Sequence, residues 1–338
     1  MKNNYRSHSR RRTPWDADTE LTGLEAFIRE EYRKNYSNHH KRQNDTRDSE
    51  LLDSYTPGSC RHCGSTKFKK NGLTDYGLQK YKCSDCGRTF TVTTGTIFQD
   101  HKISISEWIE YLLNIFGYSS LNLNSKTNKN AETTSKYWLA KVFLLLKDCQ
   151  NTIILAGDVQ IDETYYSVIK NEIVTKDGKK LRGLSRNKYC IGIGCDSNNV
   201  YCFLEGKAKT SETKTLKAFK DHIKAGSHLV HDDEKSHNVL ISTLSLSSET
   251  YSSIYLKTLE DKDNPLNRLN HYCDLLKKFL NSHPGFNRDE LQDYLNLFVF
   301  MMNPPHNKLE KVRLLLDLAL NSHKSITFRE YYKKKSSN

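Results

Sequence analysis

The sequence predicts an α/β fold, a mixed sheet flanked by helices and preceded by a small cysteine-bearing β unit and a helical region. Three observations predict it. From residue 153, β-branched and aromatic runs alternate with helix-like stripes. Between Ser104 and Leu146, apolar residues recur at three- and four-residue steps. Ahead of both, two Cys-x-x-Cys pairs lie among glycines, lysines and aromatics.

The elements follow in order. Residues 1–57 read as a basic arm (Arg10, Arg11, Arg12; His39 to Arg42) with one short amphipathic helix on Leu21, Leu24, Phe27 and Ile28. Pro57-Gly58-Ser59 punctuates the start of a second unit, 58–98, whose short alternating stretches around Tyr81-Lys82-Cys83 and Thr89-Phe90-Thr91-Val92 predict β ribbons. Residues 99–150 carry a helix from Ser104 (Ile105, Trp108, Leu112, Ile115, Phe116), a polar turn from Asn122 to Asn130, and a helix from about Thr133 (Tyr137, Trp138, Val142, Phe143, Leu146). That pattern fits equally a helix-turn-helix laid in a DNA groove and a hairpin that packs on its neighbours.

Residues 151–305 then read as strands over 153–166, 189–195 and 200–204, a helix over 210–223, a strand over 227–231, a helix over 235–244, a strand over 252–256, and helices over 266–280 and 288–301. Residues 306–338 add a C-terminal helix and a basic tail ending in Lys333, Lys334 and Lys335.

Charge narrows the partners. Lysine and arginine number 52 against 40 acids, a net charge of +12 over 338 residues, which favours a polyanion and makes nucleic acid the first candidate. A mean hydropathy of −0.73, with no apolar run near 18 residues, argues against a membrane span. The N-terminus is basic without the apolar core of a secretory signal, so a cytoplasmic location is expected. In that compartment nine cysteines do not predict a disulfide framework.

Their spacing carries more. Cys60-Arg-His-Cys63 and Cys83-Ser-Asp-Cys86 are separated by 19 residues, with Gly64 and Gly87 at the same offset after each pair. Two such knuckles converge four thiolates into a tetrahedral site that suits structural Zn²⁺, with an iron–sulfur cluster or a redox pair as alternatives. Lys67, Lys69, Lys70, Lys80, Lys82 and Arg88 make the unit cationic and suited to phosphate, although a ribbon used for protein contact has the same spacing. Cys149, Cys190, Cys195, Cys202 and Cys273 share no ligand spacing and read as small core residues.

Two acidic groups sit in strand-like surroundings. Asp162 and Glu163 lie inside a strand run on opposite faces, and a charge inside a strand is costly unless a metal or partner meets it. Asp232, Asp233 and Glu234 follow a second buried strand. On the helix beginning near Asn267, Asn270 and Lys277 lie seven residues apart on one face, where an amide oxygen can complete a hard cation's coordination and a lysine can hold a phosphate. Each is also an ordinary exposed polar position.

Together these motifs resemble insertion-sequence transposases with an N-terminal zinc ribbon and an RNase-H-like core, in the group signed Asp, Asp, Asn or Glu, then Lys. The likeness runs over about residues 58–303. Lys80 to Phe90 resembles the ribbon, and Gly95-Thr-Ile-Phe98 its link to the helices. Asp162-Glu-Thr-Tyr165 resembles the first catalytic block, and His231 to His237 the second, in a register that favours Asp232 over Asp233. Asn267 to Lys277, followed by Gly285-Phe286, resembles the third, with Asn270 where many relatives have glutamate.

The resemblance implies an RNase-H-like fold and two Mg²⁺ or Mn²⁺ ions about 4 Å apart. It implies Asp162 bridging the ions, with Asp232 and Asn270 each binding one. To this the charge pattern adds Lys277 positioning the DNA, and the basic loop Lys170 to Lys188 lining its path. The expected activity is cleavage at terminal inverted repeats and strand transfer into target double-stranded DNA, by a homo-oligomer on paired ends, with nucleoid association when DNA-bound. Two other readings stay open: an inactive or domesticated transposase serving as a zinc-ribbon DNA-binding protein, and an RNase-H-like nuclease acting on RNA.

Overall fold

The computed structural model describes residues 46–75, 77–99 and 105–336, so the helix expected at residues 21–28 lies outside them. The described residues open with helix α1 (Thr46–Asp53) and then a three-stranded antiparallel ribbon of β1 (Phe68–Leu73), β2 (Gln79–Cys83) and β3 (Thr89–Phe90). Cys60, Tyr81, Cys83 and Phe90 form its own small core.

Helices α2 (Ile105–Phe116), α3 (Leu121–Thr127) and α4 (Glu132–Leu146) follow. The expected polar turn is therefore partly helical. Its polar residues are packed rather than solvated: Asn124 is fully buried, donates to the Tyr111 carbonyl at 3.2 Å and accepts from Asn128 at 2.8 Å, while Ser120 caps the helix start. Satisfied side-chain amides take the place of an apolar stripe there. Helix α4 is buried on several sides, with Trp138 stacked on Trp108 at 5.2 Å. A helix enclosed this way suits a packed hairpin better than one laid in a groove.

The main sheet has five strands in the order β10-β9-β4-β7-β8. Strands β4 (Asp158–Ser167), β7 (Lys188–Cys195) and β8 (Val200–Lys207) form an antiparallel meander. After helix α5 (Glu212–Phe219), β9 (His228–Asp232) pairs parallel to β4. Helix α6 (Asn238–Leu244) crosses to β10 (Ser247–Tyr251), which is parallel to β9. An antiparallel meander followed by two parallel crossover strands is the RNase-H-like arrangement.

The strand expected over 252–256 is instead the short helix α7 (Ser253–Leu256), capped by Ser252, and the strand lies five residues earlier. Strand β10 is an edge strand, largely exposed, so its Ser-Ser-Glu-Thr-Tyr sequence lacks the alternation that marks a half-buried strand.

One face of the sheet (Val159, Ile161, Leu229) packs on α5 and α6 through Phe219 and Leu240. The other face (Ile191, Ile193, Val230) packs on α8 (Asn267–Ser282) and α9 (Leu291–Met302). That second core runs on without a break into α2, α4 and α10 (Lys308–Asn321), and α11 (Phe328–Ser336) closes the chain.

Gly192 and Gly194 let Phe219 lie flat on β7. A Cβ at Gly194 would sit 2.9 Å from Leu155 and 3.1 Å from Phe219, and one at Gly192 would sit 2.8 Å from Glu205. Gly194→Ala is expected to cost about 2 kcal/mol by overpacking. A urea-unfolding midpoint unchanged from wild type would contradict this packing.

Candidate active site

The four cysteines converge. Cys60 and Cys86 sulfurs are 3.7 Å apart, and Cys63 and Cys83 sulfurs 3.6 Å, close to the edge of about 3.8 Å expected for a tetrahedron with 2.3 Å Zn–S bonds. The two knuckles repeat one backbone pattern. Gly64 N–H donates to the Cys60 carbonyl and Gly87 N–H to the Cys83 carbonyl, both glycines having positive φ. A backbone N–H from Cys86 helps hold the Cys83 thiol down at about 7, toward the thiolate. This donor set is one that could hold zinc.

On the main sheet, Asp162 and Asp232 stand side by side. Ile161 is in register with His231 across the parallel β4–β9 pair, so the residues that follow are neighbours on the same face. Burial, then the charge of Asp232, pushes the Asp162 carboxyl up to about 7. Burial likewise raises Asp232. Two acids held together in a poorly solvated place need a proton or a cation between them. Asp233 is exposed, beyond the end of β9.

Helix α8 covers the same face. Leu269, Cys273 and Leu276 are buried, and Gln160 of β4 clamps the start of the helix by accepting from Leu269 N–H at 3.1 Å and donating to the Pro265 carbonyl at 2.7 Å. Cys273, buried on this helix, feels the charges of both Asp162 and Lys277. Asn270 and Lys277 are exposed on the flank of that helix.

A feature that spacing did not reveal lies on the opposite face of the sheet. His237 Nε2 is 3.0 Å from Glu163 Oε1, His237 Nδ1 is 3.1 Å from His231 Nδ1, and His231 Nε2 is 3.2 Å from Thr250 Oγ1. Burial pushes His231 down to about 4. Burial also opposes charge on His237, but its bond to Glu163 and the nearby aspartates lift it above its usual value. Glu205 is a further buried acid, raised by burial and accepting from Thr210 at 2.6 Å. Only the two histidines in the His231 to His237 segment could have signalled this cluster.

The segment Lys170 to Lys188 carries a short hairpin arm. Strands β5 (Thr175–Lys176) and β6 (Lys179–Lys180) meet at Asp177-Gly178, both with positive φ, as a two-residue hairpin turn requires. Asn187 ties its base by accepting from Val174 N–H at 2.7 Å and donating to the Val174 carbonyl at 2.9 Å. Lys176, Lys179, Lys180, Arg182 and Arg186 are all exposed along it.

A sheet of this order with paired acids on its two central parallel strands defines an RNase-H-like α/β protein. More particularly, residues 154–303 match the ISXO2-like transposase domain. An uncharacterized protein in transposable element ISH50 of Halobacterium salinarum is 23% identical over 240 residues, 65% of this chain and 77% of the relative. Among solved structures, a chain of the simian T-cell lymphotropic virus intasome in complex with PP2A regulatory subunit B56 gamma is 13% identical, with a TM-score of 0.30 over 57% of this chain and 66% of that one. The Mos1 strand transfer complex gives 12% identity and a TM-score of 0.29, over 65% and 78%. Among the described residues, no helix is long and apolar enough to cross a membrane.

Proposed function

We propose that this protein is the DNA transposase of an insertion sequence, cleaving element ends and joining them to target DNA in the cytoplasm. The observation that carries this reading is the adjacent pair Asp162 and Asp232, forced together on one sheet face beneath a helix bearing Asn270 and Lys277. Mg²⁺ or Mn²⁺ held there would activate a water or 3′-hydroxyl and stabilise the leaving oxygen. Asp162 and Asp232 would supply the carboxylate oxygens and Asn270 an amide oxygen, and the donor chemistry fits a hard cation. Lys277 would hold a phosphate of the bound strand as a point charge.

Residues 58–98 would form the end-binding ribbon, with Cys60, Cys63, Cys83 and Cys86 on structural Zn²⁺. Residues 99–150 would brace it against the catalytic core of residues 151–305, and two copies would pair two ends. The test is an in vitro assay with Mg²⁺ on duplexes carrying the element's terminal repeats. Joined products support the reading, and end binding without cleavage favours a DNA-binding regulator instead. Because Asn270 is a neutral third ligand, Asn270→Glu separates the two readings. It merely tunes cleavage by an active enzyme but creates cleavage in a regulator silenced at that position.

The basic arm is expected to grip phosphate. Replacing Lys179 and Lys180 with glutamate should reduce the slope of log affinity against log salt by about 2 and weaken duplex binding roughly tenfold or more. An unchanged salt slope would remove the arm from the DNA path.

A further inference from the structure

Behind the two aspartates, on the far face of the sheet, runs a polar chain, buried at Glu163, His237 and His231, whose place in the fold calls for a role. It joins Glu163 on β4, His237 in the turn before α6, His231 on β9 and Thr250 on β10. The side chains of His237 and Glu163 are 0% and 4% exposed. Burying such a pair is often no more stabilising than apolar residues of the same volume, so stability alone does not account for it.

Its geometry reaches the site from behind. His237 Nδ1 lies 3.9 Å from Asp232 Oδ1, and the same oxygen accepts from Glu234 N–H at 3.1 Å within the turn that His237 anchors. His237 Nε2 is taken up by Glu163, the residue next to Asp162 on β4. The chain therefore ties the turn carrying Asp232 to the strand carrying Asp162, and through His231 and Thr250 to the edge strand.

We propose that His237, held by Glu163, is a positioning residue that fixes the Asp232 carboxylate opposite Asp162 and so sets the affinity of the site for a divalent cation. The inference rests on the reading of Asp162 and Asp232 as cation ligands. Groups that orient ligands in this way typically alter metal affinity 10- to 100-fold when removed.

The experiment uses the full-length protein and Mn²⁺ as the probe, with binding followed by electron paramagnetic resonance in the absence of DNA. His237→Phe keeps a ring of similar size, and Glu163→Gln keeps the side-chain shape. Both are expected to weaken Mn²⁺ binding, roughly tenfold or more for His237→Phe and less for Glu163→Gln. The Mg²⁺ concentration for half-maximal cleavage should rise in parallel, while affinity for terminal-repeat DNA stays within about twofold. His237→Gln, which restores a donor, should recover part of the loss.

Unchanged Mn²⁺ affinity in folded His237→Phe would overturn the proposal and leave a plain structural staple. Should His237→Phe fail to fold, unchanged affinity in Glu163→Gln overturns it equally. The ligand atoms of His231, Asp232 and His237 lie within 4.8 Å of one another. A stoichiometric transition metal beyond the ribbon's own, lost in His231→Ala, would also overturn it, by making the histidines ligands. A wild-type protein that binds Mn²⁺ but cleaves no DNA would sink the transposase reading while leaving the Mn²⁺ comparison decisive for His237.

Discussion

Asp162→Ala is expected to lower Mg²⁺-dependent cleavage of terminal-repeat DNA roughly a thousandfold or more, about 4 kcal/mol of transition-state stabilisation, with end binding nearly unchanged. Asp232→Ala should do the same. Under the proposed function the two residues serve one cation site, so the double variant should lose little beyond either single one. Cleavage that persists in either variant would remove that residue from the site.

The same acid carries a stability signature that does not depend on activity. Asp162 rises from an ordinary 3.8 to about 7 in the fold, chiefly through burial and then through Asp232. Between those values the native state holds a proton that the unfolded chain has released. Stability from this group is therefore full below about pH 4 and lost as pH rises through about 7. With the repulsion shared between two carboxyls, the loss is about 2 kcal/mol. Asp162→Asn should thus raise the melting temperature of metal-free protein at pH 8 by roughly 5 °C and leave it nearly unchanged at pH 4. Mg²⁺ should stabilise wild type and not the variant. A variant melting below wild type at pH 8 would show that the acids do not repel as described.

Much of this architecture was legible because its physics is local. β7 is buried on both faces and reads as a near-continuous apolar run. The cysteine knuckles declare themselves by spacing and their trailing glycines. Asp162 drew notice because a carboxyl inside an apolar strand demands a partner. Elements stabilised by distant contacts gave weaker signals. β10 is polar because an edge strand leans on β9 for its hydrogen bonds, and α3 is polar because Asn124 and Asn128 find partners inside the helical layer. The Glu163–His237–His231 chain joins residues up to 74 positions apart, and only folding brings them together. Composition located the cations in general. The base of the Lys170 to Lys188 arm is tied by Asn187, an unremarkable residue in sequence.

Removing the zinc proposed for the ribbon should act on a different part of the molecule and with comparable force. The ribbon's own core comprises only Cys60, Tyr81, Cys83 and Phe90, with Phe68 and Cys86 against it, and three of those six are ligand candidates. So small a cluster cannot offset the chain entropy of ordering about 30 residues. A structural zinc site contributes about 10–16 kcal/mol toward folding in small modules, far more than the apolar contacts present here. Cys83→Ser, or a strong chelator, is therefore expected to unfold residues 60–90, while Val92, Ile97 and Phe98 stay in the larger core and the five-stranded sheet persists. Zinc content should fall from one ion per chain to none, hydrogen exchange should accelerate across β1 to β3 but not across β4 to β9, and affinity for terminal-repeat DNA should drop about 100-fold. Arg61, which donates to the Leu320 carbonyl at 2.8 Å, ties the ribbon to α10, so exchange should also quicken at the end of that helix. Protection of β1 to β3 that survives complete zinc removal would mean that aromatic packing alone holds the ribbon, and that its cysteines serve another chemistry.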